Sequence, residues 1–206
     1  GTTNDFARTL KLPRRIGGMR RVLASGRDVA IDAGRFNDGY FSYVASFGAF
    51  TKCSYATPRS MKRLLGPPPY VLEGTRDIAA LEARPMTVEA DDCTYTGEYV
   101  FGAFSNTVSI GGMLHYDSAL VDMNDGKLEM LLIRKPENLG EVRRLVHALG
   151  SSDFDDPLFD FAASSAFHLK TEQGFDWSVD GERAAGGTAV EIACVKSAVR
   201  ITVPAR

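Results

Sequence analysis

TVEADDCTYTGEYVFGAF, residues 87–104, is the stretch whose reading decides the fold. Aromatic and β-branched side chains dominate it. Val88–Tyr95 and Tyr99–Phe104 flank Thr96-Gly97-Glu98 as two strands flank a hairpin turn. Toward the carboxy terminus the same signal recurs in Leu128–Ile133, Phe159–Leu169, Ala189–Val195 and Val199–Val203. One helix interrupts it, with Leu139, Val142, Leu145, Val146 and Leu149 on a single face. Toward the amino terminus, Asp28–Ala33 alternates as a strand. Asn37-Asp38-Gly39 turns the chain into a second strand through Tyr40–Phe47. Residues 58–65 and 70–81 carry helical spacing, with Gly66-Pro67-Pro68-Pro69 between them and Pro85 as a stop. Residues 1–12 read as a short helix, and Arg14, Arg15, Arg20 and Arg21 surround Gly17-Gly18 as a basic connector. Many short strands with a few inserted helices predict a mainly β, α+β fold built as a β-sandwich.

The 206 residues suffice for a proper core, and 44% apolar with 24% charged residues is an ordinary globular composition. A net charge of −2 gives no general attraction to nucleic acid or to an anionic bilayer, so no nucleic-acid partner is expected. Cys53, Cys93 and Cys194 are odd in number and far apart, which argues against a disulfide framework or a zinc site. No apolar run reaches the length of a membrane span.

Three polar clusters compete for chemical roles. Gly1-Thr2-Thr3-Asn4-Asp5 runs into an apolar helical pattern, and a helix start offers free N–H groups to an anion. The ordinary use of Asn and Asp there is capping. Asp122-Met-Asn-Asp125-Gly-Lys127 holds one carboxylate near backbone carbonyls, enough for a loosely held Mg²⁺, and is also a plain Asp-Gly turn. Asp180-Gly181-Glu182 is a turn dipeptide that can push Glu182 out of a strand end, where a carboxylate can serve as a general base. His115, His147 and His168 show no paired-ligand spacing, and Ser46, Ser105 and Ser109 lack a nucleophile elbow. The aromatic run Tyr40–Phe50 suits a core, and its small residues also suit the lining of an acyl cleft.

Taken together, GTTNDFARTL (1–10), IDAGRFNDGYFSYVASFGAFTKCSYATP (31–58), GGMLHYDSALVDMNDGKLEMLLIRKP (111–136), FDWSVDGE (175–182) and AVRITVP (198–204) resemble the soluble bacterial diacylglycerol kinases and related lipid kinases. The resemblance implies a two-domain kinase. Residues 1–25 would be the interdomain helix and connector, and 26–206 the β-sandwich carboxy-terminal domain. The glycine-rich GGDGT segment of the family's amino-terminal nucleotide domain is not among these residues.

It further implies that ATP is the phosphoryl donor and Mg²⁺ the cofactor. Glu182 would be the proton acceptor and Asp180 its partner. Thr2, Asn4 and Asp5 would form the nucleotide edge. Asp125 would be the magnesium carboxylate, with backbone oxygens of Asp122 and Lys127 beside it. The expected partners are a diacylglycerol-like lipid at a membrane surface and the nucleotide-binding domain. The expected location is cytoplasmic and peripheral to the membrane. Phe6, Leu10 and Leu12 give the 1–12 helix an apolar face that would fray, fold back on its own sandwich, or pack on a second copy, the last being favoured. Two other readings remain: a non-catalytic lipid- or partner-binding module, and a kinase of the same type acting on a sphingoid base or a nucleotide cofactor.

Overall fold

The computed structural model describes residues 4–48, 82–111, 114–117 and 121–205. The two helical patterns at 58–65 and 70–81, Thr2 and Cys53 lie outside the described residues. In chain order the elements are α1 (Asp5–Thr9), α2 (Ile16–Ser25), β1 (Arg27–Phe36), β2 (Gly39–Phe41), β3 (Val44–Gly48), β4 (Arg84–Glu89), β5 (Thr94–Ser105), β6 (Ser109–Ile110) and β7 (Leu114–His115). They continue with β8 (Leu128–Arg134), α3 (Leu139–Ser151), β9 (Phe159–Ser164), β10 (Ala166–Thr171), β11 (Asp176–Val179), β12 (Glu182–Ala185) and β13 (Ala189–Val203).

The fold is mainly β with inserted helices, as expected. Among the described residues it holds a curled antiparallel sheet, ordered β12-β11-β3-β5-β4-β10-β13-β1-β2 with β8 and β9 branching from β5, and a separate two-stranded sheet of β6 and β7. The inside of the curl collects Phe36, Phe47, Val88, Phe104, Met130, Phe167, Trp177 and Ile192. On the other side, Phe101, Ala103, Leu131 and Ile133 are covered by Leu145, Ala148 and Leu149 of α3. β8 is therefore buried on both faces, which explains its nearly unbroken apolar run. The α3 start is capped by Asn138, whose side chain accepts the Glu141 N–H at 3.0 Å.

Four local expectations change. Thr96-Gly97-Glu98 is not a turn. It lies inside β5, where Gly97 pairs with Met86, and the turn is Ala90–Cys93, closed by the Ala90 N–H to the Cys93 carbonyl at 2.8 Å. Gly97 leaves room for the Arg134 side chain, which a Cβ would meet at 2.5 Å. The expected strand through Tyr40–Phe47 breaks at Ser42-Tyr43 into β2 and β3. The expected strand Phe159–Leu169 breaks at Ser165, whose N–H is taken by Asp91 at 2.7 Å. Ala189–Val195 and Val199–Val203 are one strand, bent at Ser197, which has φ 53°.

The basic connector is a helix, α2, that leaves Ile16 and Leu23 exposed. The apolar face of α1 folds back on its own sheet. Phe6, Leu10 and Leu12 pack on Ile31, Val203 and Met123 of the same chain, because β1 and β13 leave apolar side chains uncovered there. Among the described residues no helix is long and apolar enough to cross a membrane.

Candidate active site

The Asp180-Gly181 turn is a two-residue hairpin joining β11 to β12, with Val179 opposite Glu182. Both turn residues have positive φ, 49° and 92°, the backbone such a tight turn requires. This geometry turns the Asp180 carboxylate back onto the β2–β3 break. It accepts the N–H groups of Ser42 at 2.8 Å, Tyr43 at 2.9 Å and Val44 at 3.0 Å, together with the Ser42 hydroxyl at 3.2 Å. The Asp180 N–H in turn donates to the Val44 carbonyl at 2.8 Å. The break in the strand and the turn are thus one structure: the N–H groups that a continuous strand would give to a neighbour go to Asp180. Glu182, at the start of edge strand β12, is exposed, and its carboxylate has no hydrogen-bond or ion-pair partner among the described residues.

Tyr43 extends the link. Its hydroxyl donates to Asp5 Oδ2 at 3.0 Å and accepts the Gly111 N–H at 2.7 Å. Burial, more than any neighbouring charge, pushes the Tyr43 phenol well above its ordinary range, so it stays a neutral donor. Asp5 Oδ1 accepts the Ser109 hydroxyl at 3.0 Å, and Thr9 meets Thr107 hydroxyl to hydroxyl at 2.8 Å.

These contacts fix the helix start in place. Asn4 takes a left-handed conformation with φ 53° and makes no side-chain cap bond, so capping does not explain it. Asp5 is 3% exposed with both oxygens engaged. It anchors α1 through Tyr43 and Ser109. Asn4 stays exposed at the edge.

The 122–127 loop is fixed from below by Asp32. This fully buried side chain sits at the β1–β13 irregularity between Ile31 and Ala33. Its oxygens accept the N–H groups of Gly126 and Ser197, each at 2.6 Å. Asn106 ties the same place together, donating to the carbonyls of Asp32 at 2.7 Å and Met123 at 3.2 Å. Within the loop, Asp125 Oδ1 accepts the Lys127 N–H at 2.8 Å and Asp122 Oδ1 accepts the Asn124 N–H at 3.1 Å. One carboxylate oxygen of each aspartate stays open. Among the described residues no three His, Cys, Asp or Glu side chains gather to hold a metal, so a cation here would rest on Asp125, backbone carbonyls and water. That donor set fits Mg²⁺.

The apolar-aromatic run proves to be core at Phe41 and Phe47, while Tyr40 points to solvent. Sequence reasoning missed Tyr43, Asp32 and Glu129, and weighed Ser109 only as a nucleophile. For two of them a signal existed: Asp32 and Glu129 are acids inside apolar strand patterns. Glu129 is fully buried, and its carboxyl is pushed up to about 8, chiefly by burial, with Asp125, Asp122 and Asp32 adding to the effect.

No family model matches the sequence. Over 185 residues the chain is 28% identical to a diacylglycerol kinase of Staphylococcus epidermidis, covering 88% of this chain and 57% of that protein. A diacylglycerol kinase of Staphylococcus aureus strain JH9 is 27% identical, with 88% and 58% covered. The chain thus spans little more than half the length of these curated relatives. Among solved structures, a Bacillus anthracis protein superposes with a TM-score of 0.74 at 22% identity, covering 98% of this chain and 67% of that one. A second, described as a diacylglycerol kinase from the same organism, gives 0.69 at 17% identity, with 98% and 64% covered. At these identities the two structures bear on the fold alone. By sequence and by fold, the chain is similar to bacterial diacylglycerol kinases over most of its length.

Proposed function

We propose that the chain is the carboxy-terminal part of an ATP-dependent lipid kinase that phosphorylates the hydroxyl of a diacylglycerol-like lipid. One observation carries this reading beyond the similarity to named kinases. A single tyrosine joins the Asn4-Asp5 helix start to the Asp180-Gly181-Glu182 turn, and the Glu182 carboxylate is left exposed and unpartnered beside them. Phosphoryl transfer to an alcohol needs positioning, charge stabilisation and a base for the hydroxyl proton. In this reading Glu182 accepts that proton. Asp180 orients the β2–β3 break and does not touch substrate. Thr2 and Asn4 meet the nucleotide, and Asp5 holds α1 in place. Mg²⁺ at Asp125, with the Asp122 and Lys127 carbonyls, would supply fixed positive charge near the sites. The remaining nucleotide contacts would come from sequence outside these 206 residues, in line with the share of the relatives that the chain spans. The lipid is met at a membrane surface from the cytoplasmic side.

The test is a phosphoryl-transfer assay on the full-length protein with Mg-ATP and diacylglycerol in mixed micelles, run beside sphingosine and a dinucleotide as acceptors. Phosphorylated diacylglycerol formed by the wild type and not by Glu182→Gln supports the reading. Transfer to sphingosine or the dinucleotide alone would move the acceptor, and no transfer to any of the three would leave a binding module.

A further inference from the structure

The segment from Lys11 to Arg27 carries Lys11, Arg14, Arg15, Arg20, Arg21 and Arg27 and no acid, in a chain whose net charge is −2. Among the described residues none of these cations has an ion-pair partner. The middle of the segment is α2, held to its own chain on one side, where Val22 is buried. On the other side Ile16 is 83% and Leu23 76% exposed. With Arg20 between them, these two follow the i, i+4, i+7 spacing that sets side chains on one line of a helix. Large apolar side chains standing among unpaired arginines are the pattern of a helix that lies in a lipid–water boundary. The apolar groups enter the acyl edge and the cations face anionic head groups. Beside this face, Lys11, Arg21 and Ser25 line a cavity of about 340 Å³ together with Gly18 and Pro204, and no acid lines it. Other occupants fit less well. A second copy would set the same cations against one another, and a nucleic acid would leave Ile16 and Leu23 in water.

We propose that the segment from Lys11 to Arg27 is a docking face for an anionic membrane. Ile16 and Leu23 enter the bilayer boundary, Arg14, Arg15 and Arg20 meet the head groups, and the cavity between Lys11 and Arg21 takes a head-group phosphate. The proposal rests on the lipid-kinase reading for the reason a membrane is met, and adds to it the face that does so and the charge of the lipid it prefers. It also reconciles a negative chain with an anionic surface: the attraction is local, and screening within about a Debye length, ~10 Å, keeps the distant acids from cancelling it.

The full-length protein is sedimented with vesicles of phosphatidylcholine alone and of phosphatidylcholine mixed with phosphatidylglycerol. Wild type is compared with the double variants Arg20→Gln/Arg21→Gln and Ile16→Ser/Leu23→Ser, whose side chains are all exposed. Wild type should bind the mixed vesicles, release them as salt rises, and leave phosphatidylcholine unbound. Losing two cations should lower affinity about 25-fold, at roughly fivefold for each cation near an anionic surface. Losing the two apolar side chains should lower it about tenfold or more. Equal binding to both vesicle types, or both variants binding as wild type does, overturns the proposal. An apolar variant that binds as wild type while the arginine variant fails shows a general polyanion patch, and overturns it too. Phosphoryl transfer to diacylglycerol in neutral-detergent micelles keeps the two readings apart. Transfer there without preference for the anionic vesicles sinks the docking face alone, and anionic-vesicle binding without transfer sinks the kinase reading and leaves the face standing.

Discussion

Asp180 and Tyr43 are joined through the backbone and onward through the side chain: the carboxylate accepts the Tyr43 N–H at 2.9 Å, and the Tyr43 hydroxyl donates to Asp5 at 3.0 Å. The pair fixes the separation between the helix start and the β11–β12 turn. Asp180→Ala would leave the N–H groups of Ser42, Tyr43 and Val44 to water. Since Asp180 is exposed, the expected loss is about 1–3 kcal/mol, toward the low end for charge-assisted bonds. Urea denaturation of the variant measures it, and an unchanged midpoint would mean that the turn holds its place without the carboxylate.

Tyr43→Phe keeps the ring and removes the hydroxyl. Asp5 then retains only Ser109, and the Gly111 N–H loses its acceptor. We expect a cost of about 1–2 kcal/mol and faster amide exchange through α1 and at Gly111. Unchanged protection in α1 would show that its apolar contacts with Ile31 and Val203 suffice.

Glu182→Gln in the full-length protein should lower kcat by about a hundred- to ten-thousand-fold, the usual share of general acid–base catalysis. Because the side chain is exposed and unpartnered, stability should stay within about 0.5 kcal/mol of wild type. Turnover above half of wild type would make Glu182 an ordinary turn residue.

Asp91 supplies a pH dependence. Its carboxyl is held below the ordinary range first by the Ser165 backbone N–H, an effect that partial desolvation opposes, and the Ser165 hydroxyl adds to the lowering. A carboxyl lowered on folding contributes stability above its unfolded pKa and loses it as pH falls through the folded value. Asp91→Asn should therefore be less stable than wild type near neutrality, by about 0.5–1 kcal/mol for so exposed a group. The gap should close below about pH 4, where unfolded Asp is protonated. Paired denaturation series at pH 7 and pH 3 check this, and a gap that stays constant between them would remove the charge from the account.

Local chemistry carried part of the fold in plain sight. The apolar run of β8, the Asn138 cap of α3 and the Asp180-Gly181 dipeptide were legible because each depends on residues close in sequence. The Thr96-Gly97-Glu98 turn was misread because Gly97 serves Arg134, a partner brought in by β8. Likewise, the breaks at Tyr43, Ser165 and Ser197 are imposed by carboxylates from elsewhere: Asp180, Asp91 and Asp32. At the site, Glu182, Asp180 and Asp125 were readable as motifs. The burial of Asp5 was not, since Tyr43 and Ser109 reach it only through the sheet.

The pairing of β1 with β13 also sets a timetable for assembly. Asp32 and Ser197 are 165 positions apart in sequence, and the surface that receives α1 is made by these two strands. Closing so long a loop precedes any reward from the contacts it allows. Bringing the Glu182 turn to β3 closes a loop of comparable length, since Val44 and Asp180 are 136 positions apart. The apolar face of α1 gains its seat on Ile31 and Val203 only once β13 lies beside β1, whereas Asp5 is held separately, by Tyr43 and Ser109.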